Sequence, residues 1–371
     1  MRIIHTSDIH LHKEHPERFE ALERVIEKTK ELKGDYLVIA GDLFQDPESA
    51  SELFTNLRTV FNDLPFKVIV IPGNHDYTLY LTQRDFGNSA IVLNHENNIY
   101  QDIDFGVTFF TIPYSTIIVP ETFHLNLAAT VQKLSRDFLN IFIYHGDLEE
   151  VVLRVRARSK VTGEETGKAF SVNLVYITKQ GNINLVLAGH YHNAYGDFSF
   201  GDGGNFIYSG SPVSVTKSDQ GVRSVNLVEI EDKRLKGFER VPLDTYYYKS
   251  LAINLTGFEP DPVDAVTQRV REEFQKSSTV RLLFSVKGFL NRSISGIGER
   301  DFSERVLSSL KSIWGDRVIL DEMWNEVRDI STIMSKPFCR NIFDKIEHSD
   351  RSEEEKVILK RMFIEALLRV R

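Results

Sequence analysis

An α/β fold is predicted by three observations. Short apolar runs alternate with helical patterns from the first residues onward, each run ends on a polar motif, and those motifs recur as far as residue 192. Residues 2–7 open the pattern as a short strand. Phe19, Leu22, Ile26 and Leu32 then recur at helical spacing after Pro16, which predicts a helix over 19–32. DYLVIA (35–40) and KVIVI (67–71) are compact strand-like runs that stop at Gly41 and at PGNHD. LNIFIY (139–144) stops at His145-Gly146, and INLVLA (183–188) stops at Gly189-His190-Tyr191-His192. FIY (206–208) and VNLVEI (225–230) add the last strands of a first domain, 1–240.

A second domain is expected over 241–330, as a small β-α-β-α-β unit. Its strands are expected at 245–255, 279–286 and 317–321, and its helices at 261–276 and 302–313. It has no histidine between 240 and 320, so it is expected to shape or cover a site without supplying metal ligands. The tail, 331–371, reads as two helices around the polar stretch HSDRSEEE (348–355). The last helix carries Val357, Ile358, Leu359, Met362, Phe363 and Ile364, too many apolar residues for one narrow stripe. A helix apolar on more than one face needs two neighbours, either its own domain alone or a partner as well.

Composition excludes several classes. With 42% hydrophobic and 26% charged residues the chain is an ordinary globular protein. No apolar run approaches the ~20 residues a membrane span requires, and MRIIHTSDIHLHK turns polar too early for a secretory signal. Cys339 is the single cysteine, so no internal disulfide forms and a reducing, cytoplasmic setting is expected. The net charge of −8 argues against a surface that grips nucleic acid everywhere, though not against a local basic groove. Two basic clusters, RVRARSK (154–160) and KGFLNRS (287–293), read equally as solvated surface.

Five motifs carry the chemistry: Asp8 with His10, Gly41-Asp42, Gly73 to Asp76, His145, and His190 with His192. Each sits at the end of an expected strand, where α/β sheets gather their ligand-binding groups. Carboxylate, imidazole and amide donors suit manganese, iron or zinc, and a lone cysteine excludes a thiolate site. Two cations about 3.5–4 Å apart need an anionic bridge, and Asp42 is the choice for it. Asp8, His10 and His192 are expected to complete one metal's shell, and Asn74, His145 and His190 the other's. Such a pair lowers the pKa of bound water from ~15.7 towards ~7, which supplies a nucleophile. His75, beside a ligand but not needed as one, is suited to donate a proton to the departing oxygen. Asp76 is expected to orient His75 or, more simply, to cap the next turn.

This series resembles the calcineurin-like metallophosphoesterase superfamily over roughly residues 1–230. The resemblance implies a β-sandwich flanked by helices, a four-layer α+β arrangement, and two catalytic metals. A narrower resemblance, carried by IIHTSDIHLHK, AGDLF (40–44), PGNHDY (72–77) and YSGSPVSVTKSDQGV (208–222), is to the SbcD and meiotic-recombination-eleven type DNA repair nucleases. It implies manganese, 3′-to-5′ exonuclease and single-strand endonuclease activity on DNA, and an α/β capping domain. It also implies a helical tail that grips an SMC-like coiled-coil ATPase of the SbcC type, and a homodimer built on helices near 48–61 and 78–91. Leu53, Leu57 and Phe61 of the first of these helices fit a core role equally well.

The departure is Gln45, which stands where many such nucleases carry a histidine that helps place the phosphate of a duplex end. Glutamine can hydrogen-bond a phosphate but carries no charge and shuttles no proton. Gln45, Arg154, Arg156 and Arg158 are the candidate substrate contacts. Two other readings fit the same metal motifs: a phosphodiesterase or phosphatase for a small nucleotide, and a weakly catalytic scaffold that binds DNA ends.

Overall fold

The computed structural model describes residues 1–371 except 83, 115–119, 158–169, 194–195 and 370–371. The chain forms two compact units, Met1–Tyr247 and Tyr248–Arg371.

The first unit is built on two six-stranded sheets. One runs in the order Arg234–Pro242, Ser224–Glu231, Arg2–Thr6, Tyr36–Ala40, Lys67–Ile71, Ala90–Val92. The other runs Asp197–Phe200, Gly204–Tyr208, Leu185–Gly189, Leu139–His145, Val107–Phe110, Ile99–Asp102. The central strands of each are parallel; antiparallel strands close both edges of the second sheet and one edge of the first, whose other edge, Ala90–Val92, is parallel. Alternate side chains of a strand face opposite ways, so each sheet has two apolar faces to bury. Ile3, Tyr36, Val38, Ile69 and Ile71 of the first sheet pack with Phe109, Ile141, Ile143, Leu185 and Leu187 of the second in one core. Their neighbours Ile4, Leu37, Ile39, Val68 and Val70 pack outward against Leu22, Val25 and Ile26 of helix Pro16–Glu31 and Leu57 of helix Pro47–Val60. Phe110, Phe142 and Val186 do the same against Phe123, Val151 and Ile177 of helices Pro120–Gln132, Glu149–Ala157 and Leu174–Gln180. The layers are therefore helix, sheet, sheet, helix, the mixed α/β architecture that the sequence and its resemblance imply.

One expected element is absent. The described residues of 78–91 form no α-helix: Tyr77–Leu81 is a 3-10 turn and Ala90–Val92 a strand. Gly87 has φ +115°, and a Cβ there would lie 2.9 Å from the Phe61 carbonyl oxygen, so this segment is packed too close to the preceding helix to coil. Leu57 and Phe61 are fully buried and Leu53 packs against them, which makes them core.

The second unit carries a three-stranded sheet, Tyr247–Thr256, Val280–Leu290 and Val318–Asp329, with helices Pro262–Lys276 and Glu299–Trp314. Helices Pro337–Glu347 and Glu353–Arg369 follow, and Cys339, Phe343 and Ile364 bury against Phe289 and Ile330. No helix among the described residues is long and apolar enough to cross a membrane.

Candidate metal centre

Parallel strands deliver the site. Arg2–Thr6, Tyr36–Ala40 and Lys67–Ile71 lie side by side, so the segments that follow them, with Asp8 and His10, Asp42, and Asn74 and His75, emerge at one edge of the first sheet. Leu139–His145 and Leu185–Gly189 pair in register Gly189 to His145 in the second sheet. They bring His145, His190 and His192 to the same place.

The backbone is unusual there. Asp8, His10, Asp42 and His190 have φ of 54°, 52°, 49° and 108°, a left-handed region that costs non-glycine residues of order 1–3 kcal/mol each. Gly73 and Gly41 make the tight approach possible: a Cβ on Gly73 would collide with the Asp42 carboxylate, and one on Gly41, at φ +91°, with the His145 ring.

The seven candidate ligands converge. Ligand atoms of Asp8, His10 and His192 lie within 4.8 Å of one another, as do those of Asp8, Asp42 and His145. Asp42 Oδ2 is 3.8 Å from His10 Nε2 and 3.2 Å from His145 Nε2, and so stands between the two groups. Asn74 Oδ1 lies 3.0 Å from His145 Nε2 and 3.2 Å from His190 Nδ1. His75 is also near, with one ligand atom within 4.8 Å of those of His10 and Asp42.

The donors are held from behind. Ala40 O is 2.8 Å from His145 Nδ1, so Nδ1–H donates to it and Nε2 is left for a cation. Asp219 Oδ2 does the same for His192 at 3.0 Å, while accepting from Val215 N and Thr216 N. Asp8 accepts from Ser7 Oγ and from the His190 backbone N–H, and Asp42 Oδ1 accepts from His75 N at 2.9 Å. Asp76 does not cap its turn by side chain. It is buried, accepts from Leu43 N, Phe44 N and Gly73 N, and thereby ties the Asp42 loop to the Asn74 loop.

Electrostatics favour cations here. Burial drives the His10 pKa well below its usual 6.5 and lowers His190 too, keeping both as the neutral ligating form. Burial also works against charge on His145 and Asp42. Their mutual attraction wins, with His145 pushed up to about 9 and Asp42 held well below the usual carboxylate range. His10 Nε2 and His192 Nε2 face each other at 3.2 Å, and His190 turns Nδ1 to Asn74 Oδ1 and its Nε2 toward Asp147 Oδ1, 3.5 Å away. An all-nitrogen-and-oxygen donor set with its lone pairs aimed inward fits two divalent cations of the manganese, iron or zinc kind.

Of the candidate substrate contacts, Gln45 faces inward. Gln45 turns its carboxamide to the protein, with Oε1 3.3 Å from Arg18 Nη1 and Nε2 3.2 Å from His75 Nδ1. Arg154 and Arg156 belong to helix Glu149–Ala157, with their side chains outside the description, and Arg158 lies outside the described residues. Sequence reasoning did not single out Asp219, Ser7 or Arg18. Asp219 had a signal, since it lies in the quoted YSGSPVSVTKSDQGV.

The family model for calcineurin-like phosphoesterase matches residues 1–194 of the 371. Similar solved structures include an archaeal phosphodiesterase, 16% identical over 66% of this chain and 100% of its own, with a TM-score of 0.33. The protein TT1561 of Thermus thermophilus is 14% identical over 64% and 98%, at 0.40, and a dimetal phosphatase from Danio rerio is 10% identical over 66% and 98%, at 0.41. The family match and the Asp/His/Asn centre decide the assignment. The chain belongs to the calcineurin-like phosphoesterase family of metal-dependent phosphoester hydrolases.

Proposed function

We propose that this phosphoesterase is a manganese-dependent DNA nuclease, a 3′-to-5′ exonuclease and single-strand endonuclease of double-strand break repair. The observation that carries this reading is the placement of 208–222, a stretch that resembles SbcD-type nucleases: its Asp219 holds His192 at 3.0 Å. Asp8, His10, His192, Asn74, His145, His190 and Asp42 would hold two divalent metals, which would supply charge neutralisation and an activated water. Asp42 receives the His75 backbone N–H and so fixes the loop that presents the His75 ring. His75 serves the oxygen that leaves, and Asp219, Ala40 and Ser7 keep the ligands aimed.

The reading includes a homodimer and an SMC-like coiled-coil ATPase of the SbcC type. Ile358, Met362 and Phe338 are exposed apolar residues of the tail, available to a coiled coil. Helix Pro47–Val60 shows solvent a polar face, Ser51, Glu52, Thr55 and Asn56, so a dimer through it would be hydrogen-bonded more than apolar.

Purified protein with manganese should cleave single-stranded and broken-ended DNA. Asp42→Ala should abolish cleavage, and His75→Leu should lower it by about 10²–10⁴-fold, the usual worth of a general acid. Metal-loaded wild type that leaves every DNA form intact, alone and with its ATPase, would overturn the reading. Co-purification of the ATPase should fall with Ile358→Glu plus Met362→Glu, and light scattering gives the oligomeric state.

A further inference from the structure

His75 can enter this site in two ways. Its ring is close enough to His10 and Asp42 to ligate a metal, and it is also free to donate to a substrate. The choice depends on which ring nitrogen carries the proton, and two residues outside the ligand set fix that.

Arg18 is buried, 6% exposed, in the first turn of helix Pro16–Glu31. Its Nη1 donates to the His10 carbonyl at 2.8 Å and to Gln45 Oε1 at 3.3 Å, and its Nη2 donates to the Val215 carbonyl at 3.3 Å. A guanidinium has only donors, so the carboxamide atom that faces it must be the oxygen. The Gln45 NH2 is thereby turned to His75 Nδ1, 3.2 Å away. An NH2 also only donates, so Nδ1 accepts and the proton of the neutral ring sits on Nε2. The other tautomer would send Nδ1–H to the Gln45 carbonyl oxygen at 3.3 Å, but it sets donor against donor across the Gln45 NH2.

We propose that Arg18, acting through Gln45, is a positioning residue that holds the proton of the neutral His75 ring on Nε2, so that the ring meets the phosphoester as a hydrogen-bond donor and not as a third ligand beside His10 and Asp42; transfer of the Nε2 proton to the leaving oxygen takes place from the ring that has gained a second proton on Nδ1, whose N–H turns to the Gln45 carbonyl oxygen 3.3 Å away and which leaves as neutral imidazole. A ring with Nε2–H and its Nδ1 engaged by Gln45 has no lone pair left for a cation. The proposal rests on the reading of His75 as the group that serves the leaving oxygen, but it does not depend on that phosphoester being DNA. It also gives Gln45 a task that needs neither charge nor proton shuttling.

Two measurements on the full chain test it. In metal-free protein labelled with ¹⁵N-histidine, the His75 signals, assigned by His75→Leu, should show Nε2 protonated and Nδ1 accepting. Gln45→Glu should reverse the pattern, because a carboxylate accepts from Nδ1–H, and Arg18→Met should give a mixture. A wild-type ring protonated on Nδ1, or a pattern that Gln45→Glu leaves unchanged, overturns the proposal. Calorimetric titration with manganese should find the same number of equivalents in His75→Leu as in wild type, and loss of an equivalent overturns it by a route that needs no Arg18 variant. Hydrolysis of an alkyl phosphodiester by His75→Leu at the wild-type rate would instead sink the leaving-group role while leaving the tautomer result standing.

Discussion

Asp219 shows how a residue remote from the ligand motifs sets the quality of a metal site. It holds His192 Nδ1 at 3.0 Å and is itself fixed by the Val215 and Thr216 N–H groups, so it orients the ring and fixes its tautomer. Asp219→Ala should therefore weaken manganese binding about 10–100-fold with the ligands intact, measured by calorimetric titration. An unchanged affinity would mean that the surrounding packing alone orients His192. The convergence of the candidate ligands was legible in the sequence because each lies in a polar motif that interrupts an apolar run, such as Asp42 after DYLVIA. Arg18 was not, because Gln45 and Val215 lie 27 and 197 residues from it, and although Asp219 stands in a family-like stretch its pairing with His192, 27 residues away, is visible only in the fold. Asp76 was misjudged for the same reason: a carboxylate before a turn reads as a cap, and only the fold shows the Leu43 and Phe44 amides beside it.

At the scale of elements, the two sheets are joined near one edge by a polar network. Asp102 ends the strand Ile99–Asp102 of one sheet and accepts from Tyr36 Oη at 2.6 Å and Lys67 Nζ at 2.7 Å, both from strands of the other. Burial works against the charge on Asp102, but these bonds hold its pKa down at about 2, against 3.8 ordinarily. A depressed carboxylate pKa gives stability that is complete above about pH 4 and is lost as pH falls towards 2. Since Lys67 is half exposed, screening trims the contribution to about 1–2 kcal/mol. Urea unfolding should find Asp102→Asn less stable than wild type by that amount at pH 5, with the two curves converging near pH 2, and parallel curves would refute the network's role. The long apolar strands were legible here, whereas Ile99–Asp102, with its IYQD, was too short and polar to stand out. In place of the helix expected over 78–91, Tyr80 of the 3-10 turn Tyr77–Leu81 stacks on Phe86, which packs on Phe54, so these apolar residues are buried without an α-helix to carry them.

At the scale of the first unit, the fold gathers buried imidazoles and carboxylates whose arrangement is costly until cations arrive. Four residues of the centre have left-handed backbone, and two imidazole nitrogens face each other at 3.2 Å. A ligand that binds only the folded state stabilises it by RT ln(1 + [L]/Kd), about 2.7 kcal/mol at a hundredfold excess over Kd. For a unit of this size each kcal/mol moves the melting temperature by about 2–4 °C, so saturating manganese should raise Tm by roughly 5–10 °C over protein treated with EDTA. Gly73→Ala should shrink that rise, because the added Cβ collides with the Asp42 carboxylate and displaces the group between the two metals. Asp42→Ala should abolish most of it. Scanning calorimetry of the three proteins with and without manganese separates the effects: a melting temperature in wild type that ignores the metal would mean that these side chains converge without forming a cation site, whereas a full rise in Asp42→Ala would move the bridging role to Asp8.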